Sequence, residues 1–91
     1  MSDAWVYMLR CRDGSLYTGW TNDLTKRLGR HAEGKASRYT ASRLPVELAA
    51  VWPMPDKSAA MREERRIKAL SRDEKLTLVE SVAAQAPVAA G

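Results

Sequence analysis

Ninety-one residues with a formal charge of +4 and a pI near 9.6 are too few to build two independent cores, so one domain is expected. The single cysteine, Cys11, excludes an internal disulfide, and with only one histidine beside it a four-ligand zinc site is excluded too. There is no signal-peptide pattern and no apolar run of about 18 residues, so a cytoplasmic protein with no membrane partner is expected.

Residues 4–11 alternate and are rich in strand formers, so they read as a first strand. Trp5, Tyr7, Leu9 and Cys11 share one face of it, and Val6, Met8 and Arg10 share the other. Asp13-Gly14 is a hairpin signal, and Leu16–Trp20 returns as the second strand. The loop length decides which side chains meet. A two-residue turn would pair Trp20 with Tyr7 and put Tyr7 and Tyr17 on opposite faces. A three-residue loop, Arg12-Asp13-Gly14 with Gly14 left-handed, pairs Tyr7 with Gly19 and Leu9 with Tyr17, because a one-residue slip flips a whole strand. The three-residue loop is preferred, since it gathers the polar aromatics on one face.

Asn22 or Thr21 is expected to cap a helix running to about Glu33, with Asp23 in its first turn. Leu24 and Leu28 point to the core, Asp23, Arg27 and His31 form a neighbouring stripe, and Gly34 closes the helix. Residues 35–45 are polar and basic, a loop or short helical turn with one aromatic, Tyr39. From Lys26 to Arg43 six basic residues (Lys26, Arg27, Arg30, Lys35, Arg38, Arg43) face one acid, Glu33. That run suits a phosphate-facing surface, and it suits a solvated basic face equally well.

Val46–Trp52 reads as the third strand, stopped by Pro53 and Pro55. A second helix spans roughly Lys57 to Leu70, with Ala60, Ile67 and Leu70 inward and both Glu63 and Glu64 close to that face. Ser71-Arg72-Asp73-Glu74 is a capping box for a third helix through Leu76, Val79 and Val82. Residues 83–91 read as a frayed tail, leaving residues 1–82 as the domain.

Hydrolysis of a phosphodiester needs a group to activate water, a cation on the phosphate, and usually a divalent metal to screen the leaving oxygen. Arg27 suits the second task through its bidentate fork, and a glutamate on a buried face suits Mg²⁺, which keeps most of its waters. Tyr7, Tyr17 and His31 are candidates for moving the proton. Each has a plain structural reading as well. A strand tyrosine is usually core, and a histidine at a helix end is usually a dipole partner. Arg27 alone is a surface charge, and Glu63 or Glu64 can pair with Arg62, Arg66 or Lys68.

Taken together, these residues resemble the GIY-YIG nuclease superfamily, and within it the small single-domain bacterial (UPF0213-like) proteins. The first motif stands as Trp5-Val6-Tyr7 and the second as Tyr17-Thr18-Gly19. Thr21, Leu24, Arg27 and His31 follow in the family's Thr-x-x-Leu-x-x-Arg-x-x-x-His arrangement, and Gly34 to Thr40 fits a Gly-Lys-x-x-x-Tyr-Thr run. The helix from Ala59 to Leu70 looks like the one carrying the family's metal-binding glutamate. That ligand sits three residues before Ile67-Lys68, at Glu64 and not Glu63. Trp5 and Thr18 depart from the eponymous glycine and isoleucine.

The resemblance covers residues 4 to about 80. It implies an α+β fold with a small three-stranded antiparallel sheet flanked by helices, and a metal-dependent endonuclease acting on DNA or structured nucleic acid, in repair or recombination. Tyr7 and Tyr17 would orient or deprotonate water, Arg27 would hold the phosphate, and His31 would assist the proton. Glu64 would carry one Mg²⁺ or Mn²⁺. Lys35, Arg38, Tyr39 and Arg43 are the expected nucleic-acid contacts. Family nucleases draw specificity from attached DNA-binding domains, so substrate choice stays open. The competing reading is a nucleic-acid-binding module with weak or partner-dependent catalysis.

Overall fold

The computed structural model describes residues 3–85. Strands β1 (Ala4–Arg10) and β2 (Leu16–Thr21) are joined by the three-residue loop Arg12-Asp13-Gly14. The Gly14 amide donates to the Cys11 carbonyl and the Cys11 amide to the Ser15 carbonyl, both at 2.9 Å. Gly14 sits at φ +84°, a left-handed conformation that only glycine enters without a Cβ penalty. The loop pairs Tyr7 with Gly19 and Leu9 with Tyr17, so the two tyrosines share a face.

Strand β3 (Glu47–Met54) lies along the other side of β1, giving the antiparallel order β2-β1-β3. As the central strand, β1 is covered on both faces, and Val6, Tyr7, Met8 and Leu9 are all buried. β3 runs past Pro53 to Met54, whereas the sequence pattern ends it at Trp52. An edge strand has outward-facing groups that need no ladder partner, so it tolerates a proline. Opposite the Met8/Leu9 step, β3 carries one extra residue, Ala49, as a bulge.

Helices α1 (Leu24–Ala32) and α2 (Arg38–Ala41) cover the Tyr7 face, and α3 (Lys57–Lys68) and α4 (Arg72–Gln85) cover the Val6/Met8 face. On that second face Val6, Met8, Ala60, Ile67 and Val79 form the core, flanked by Trp20, Trp52 and Leu78. Burying a side chain such as Val6, Met8 or Ile67 contributes about 1.5–3 kcal/mol each. The result is the expected three-stranded α+β fold.

Two helix boundaries differ from the sequence reading at their caps. The cap of α1 is Asp23, whose Oδ1 accepts from the Lys26 amide at 3.2 Å, in place of Asn22 or Thr21. Thr21 ends β2, and its hydroxyl is spent on the Asp23 backbone, accepting from the amide at 3.0 Å and donating to the carbonyl at 3.2 Å. At the other end Gly34 (φ +75°) sits in the C′ position, and the Lys35 amide reaches back to the Arg30 carbonyl at 2.9 Å, a Schellman closure. α3 starts on an Asp56 cap and ends at Lys68, two residues before Leu70.

Ser71 and Glu74 form the reciprocal capping box of α4, each side chain on the other's amide at 3.2 and 2.9 Å. α4 continues to Gln85, so residues 83–85 extend a helix where the sequence pattern suggests a tail. Residues 86–91 lie outside the described residues. Among the described residues no helix is long and apolar enough to cross a membrane.

Candidate active site

His31 occupies the last turn of α1, one turn beyond Arg27, and is 1% exposed. The Schellman closure at Gly34 reverses the chain so that α2 returns beside that turn. Ser37 caps α2 by accepting from the Tyr39 and Thr40 amides, which sets the fully buried Thr40 against the imidazole. Thr40 Oγ1 lies 2.8 Å from His31 Nδ1, and His31 Nε2 lies 2.8 Å from the Tyr7 hydroxyl.

One assignment of protons satisfies the whole chain. The Thr40 hydroxyl has a single proton and donates it to the Ser37 carbonyl at 3.3 Å. It therefore accepts from His31 Nδ1–H, which leaves Nε2 as the lone pair that accepts the Tyr7 proton. The imidazole is thereby held as a base aimed at a phenol.

Tyr17 closes the site from the adjacent strand. Its ring centroid is 5.2 Å from that of His31 and 6.5 Å from that of Tyr7. Gly19, directly across from Tyr7, leaves room for that packing. A Cβ there would lie 2.6 Å from the Tyr7 hydroxyl oxygen and 3.2 Å from Tyr17 Cε2.

Burial is the main cause that pushes the Tyr7 phenol up to about 12, with Tyr17 adding to it. Arg27 pulls in the opposite direction, and Glu64 adds a smaller upward push. The charges of Arg27 on α1 and Glu64 on α3 thus both reach the one hydroxyl. Burial first, and then Arg27, hold the His31 imidazole below 6.5, which keeps it neutral at pH 7.

Glu63 and Glu64 differ in what they touch. Arg66 grips Glu63 with two bonds, at 2.6 and 2.9 Å. Among the described residues Glu64 pairs only with Lys68, at 3.5 Å, and its side chain is 22% exposed. Glu64 is the less committed carboxylate and the one whose charge reaches the Tyr7 hydroxyl.

The basic residues divide in the same way. Lys35 and Arg38 are exposed, and Lys35 has a loose partner in Glu33 at 3.6 Å. Arg43 is committed, because it donates to Asp13 Oδ2 and to the Tyr39 carbonyl, each at 3.0 Å, and its guanidinium lies 3.8 Å over the Tyr39 ring. The Tyr39 ring also stacks on Tyr17, with centroids 5.9 Å apart. Arg43 and Tyr39 therefore brace Tyr17 against the hairpin loop. Hydrogen bonds from Ser15, and then Arg43, hold the Asp13 carboxyl below its usual range.

The GIY-YIG catalytic domain model matches residues 3–77. The chain belongs to the GIY-YIG family. The UPF0213 protein BH0048 of Halalkalibacterium halodurans is 49% identical over 75 residues, which are 82% of this chain and 80% of the relative. The UPF0213 protein OB0043 of Oceanobacillus iheyensis is 55% identical over 76 residues, 84% and 88% of the two chains. The solution NMR structure of BH0048 matches with a TM-score of 0.57 at 48% identity, covering 85% of this chain and 82% of that one.

Several features lie outside the roles expected from the sequence. Thr18, at the isoleucine position, is buried, and its hydroxyl has no partner among the described residues. Leaving such a group unsatisfied costs about 1–3 kcal/mol, in a place shaped for an apolar side chain. Thr40 belongs to the Gly34–Thr40 run, but the sequence reading attaches no role to it. Its hydroxyl next to a turn-forming glycine and a helix cap is the available signal. Lys26 and Arg30 belong to the basic run without a part in the expected site, and both line a cleft beside Arg27.

A single carboxylate can hold a divalent ion only when the ion keeps most of its waters. Glu64 offers a hard, partly exposed carboxylate, and among the described residues no three His, Cys, Asp or Glu side chains converge to bind an ion more fully.

Proposed function

We propose that this GIY-YIG chain is a metal-dependent endonuclease-like protein that hydrolyses phosphodiester bonds in DNA or structured nucleic acid. The observation that carries this reading is the buried Tyr7–His31–Thr40 chain, with the charges of Arg27 and Glu64 both reaching the Tyr7 hydroxyl. A phenol held up to about 12 is a poor base unless its proton has somewhere to go, and the lone pair on His31 Nε2 is that destination. As water attacks phosphorus, Tyr7 takes its proton and passes its own to His31, whose charge Thr40 helps hold in place through Nδ1–H. Arg27 binds the non-bridging oxygens where charge develops. A Mg²⁺ or Mn²⁺ held through Glu64 would supply Lewis-acid stabilisation of the leaving oxygen. Lys35, Arg38, Tyr39 and Arg43 contact further phosphates and sugars of the strand, with Tyr39 and Arg43 also bracing Tyr17.

A second reading, a nucleic-acid-binding module with weak or partner-dependent catalysis, is favoured by one observation. The single metal-facing carboxylate already has Lys68 beside it. The deciding experiment incubates the protein with Mn²⁺ and linear, nicked, branched and single-stranded DNA, with Tyr7→Phe as control. Cleavage of at least one substrate is expected, slowed about 10²–10⁴-fold by Tyr7→Phe, the usual worth of a positioned acid–base group. A wild type inert on every substrate, or a Phe variant as fast as wild type, would overturn the enzyme reading.

Thr40 acts through His31, so its effect should fall on kcat more than on KM. Thr40→Val is expected to lower kcat about 10–100-fold, the scale seen when a group orienting a functional histidine is removed, and Thr40→Ser should restore it. Wild-type rate should also fall in acid, because a protonated Nε2 cannot accept from Tyr7. Stability follows the same sign. The depressed folded-state pKa of His31 means that the unfolded chain binds a proton first, so stability is full above 6.5 and is lost as pH falls from there. Rate and melting temperature measured between pH 5 and 8, the range in which histidine titrates, check both statements.

A further inference from the structure

Beside the Tyr7 site, on the solvent side of α1, lies a cleft of about 450 Å³. Four cations line it, Lys26, Arg27, Arg30 and Lys35, with Asp23 as the lone acid. That carboxylate also caps the helix by accepting from the Lys26 amide, and four cations against its single charge leave the lining net positive. Lys26 and Arg27 form no ion pair among the described residues, and Arg30 is tied only to the Lys35 carbonyl at 3.3 Å. Like charges gathered in a concavity repel one another unless an anion enters, and a concave cationic surface concentrates anions.

The cleft is also connected to the chemistry. Arg27 lines it and acts on the Tyr7 hydroxyl. Lys26 and Arg30 are four residues apart on α1, about 6 Å along the axis at 1.5 Å per residue. That spacing makes them neighbours on one face of the helix, where two long side chains can share one anion. A simple solvated basic face would be convex, with its cations pointing apart. Here they border one volume next to the reacting group.

We propose that this cleft is a second phosphate subsite, which receives the backbone phosphate adjacent to the scissile one while Arg27 spans the two. The proposal rests on the phosphodiester reading of the Tyr7 site. It makes the substrate a strand that continues past the cut on the α1 side, so that an isolated diester would be poorly used.

The test uses the double variant Lys26→Gln/Arg30→Gln, because glutamine keeps the helix propensity of α1, with Lys26→Arg/Arg30→Lys as the charge-retaining control. Binding of a duplex oligonucleotide in EDTA is measured against salt. The log–log slope is expected to fall by about 0.9, one lost phosphate contact, and the control should keep it. With Mn²⁺, kcat/KM for the oligonucleotide should fall at least tenfold further than for bis(4-nitrophenyl) phosphate, which has no neighbouring phosphate. A methylphosphonate flanking the cut on the cleft side should weaken wild type and have little further effect on the double variant, since both remove one contact. An unchanged salt slope in the double variant overturns the subsite. Failure of the wild type to cleave anything, with the slope still lowered in the variant, would overturn the nuclease reading and leave the anion site standing.

Discussion

Glu64→Gln is expected to abolish metal-dependent cleavage while leaving DNA affinity in EDTA nearly unchanged. The carboxylate on α3 is the acidic group whose charge reaches the Tyr7 hydroxyl. Its ion pair among the described residues, with Lys68 at 3.5 Å, is a partly exposed i,i+4 contact, a class worth about 0.3–0.5 kcal/mol. The melting temperature should therefore hardly move. Glu63→Gln should behave in the opposite way. It loses the two-bond grip of Arg66 and some stability, yet keeps cleavage. Mn²⁺ adds a third arm, since a ligand at about 100 times its Kd stabilises by about 2.7 kcal/mol. Wild type and Glu63→Gln should melt higher with Mn²⁺, and Glu64→Gln should not. Melting curves with and without Mn²⁺, beside a cleavage assay, decide the matter. A wild type blind to metal, with a Glu64→Gln variant that is merely less stable, would refute the role given to this carboxylate.

Gly19→Ala should be the most damaging single methyl in the protein. The added Cβ would sit 2.6 Å from the Tyr7 hydroxyl oxygen and 2.8 Å from its Cζ. Tyr7 cannot yield, because it is fully buried and bonded to His31 at 2.8 Å. Forcing extra volume into such packing costs about 1–3 kcal/mol. In a domain of this size each kcal/mol moves the melting temperature by about 4–8 °C. Activity should fall further than stability, since any movement that relieves the clash pulls the phenol away from His31. Gly29→Ala is the matched control. Gly29 lies within α1, and a Cβ added there would meet nothing within 4 Å, so alanine should stabilise by about 0.8–1 kcal/mol through helix propensity. Equal melting temperatures for the two variants would contradict the steric account.

The local patterns along the chain carried much of the architecture. Asp13-Gly14 marked the hairpin, and alternation put Tyr7 and Tyr17 on one face once a left-handed Gly14 was allowed. Gly34 and the Ser71/Glu74 box marked helix ends because caps satisfy amides and carbonyls within a few residues. Arg27 and His31 shared a stripe by the geometry of one helix turn. Each of these involves neighbours in sequence, so its energetics can be read from spacing.

Other features depended on what lies across the fold. Pro53 falls inside β3 because that strand is an edge, which its own residues do not declare. Thr21 could have capped α1, but its position at the end of β2 turned its hydroxyl to the Asp23 backbone. Nothing near Arg43 and Tyr39 in sequence declares that Arg43 bonds Asp13, 30 residues away, or that the Tyr39 ring stacks on Tyr17. Thr40 acquired a role only when the Gly34 reversal carried it back to His31, itself bonded to a tyrosine 24 residues earlier. Choosing among equally allowed partners takes the packing of distant segments, because desolvation and hydrogen-bond geometry act through space and not along the chain.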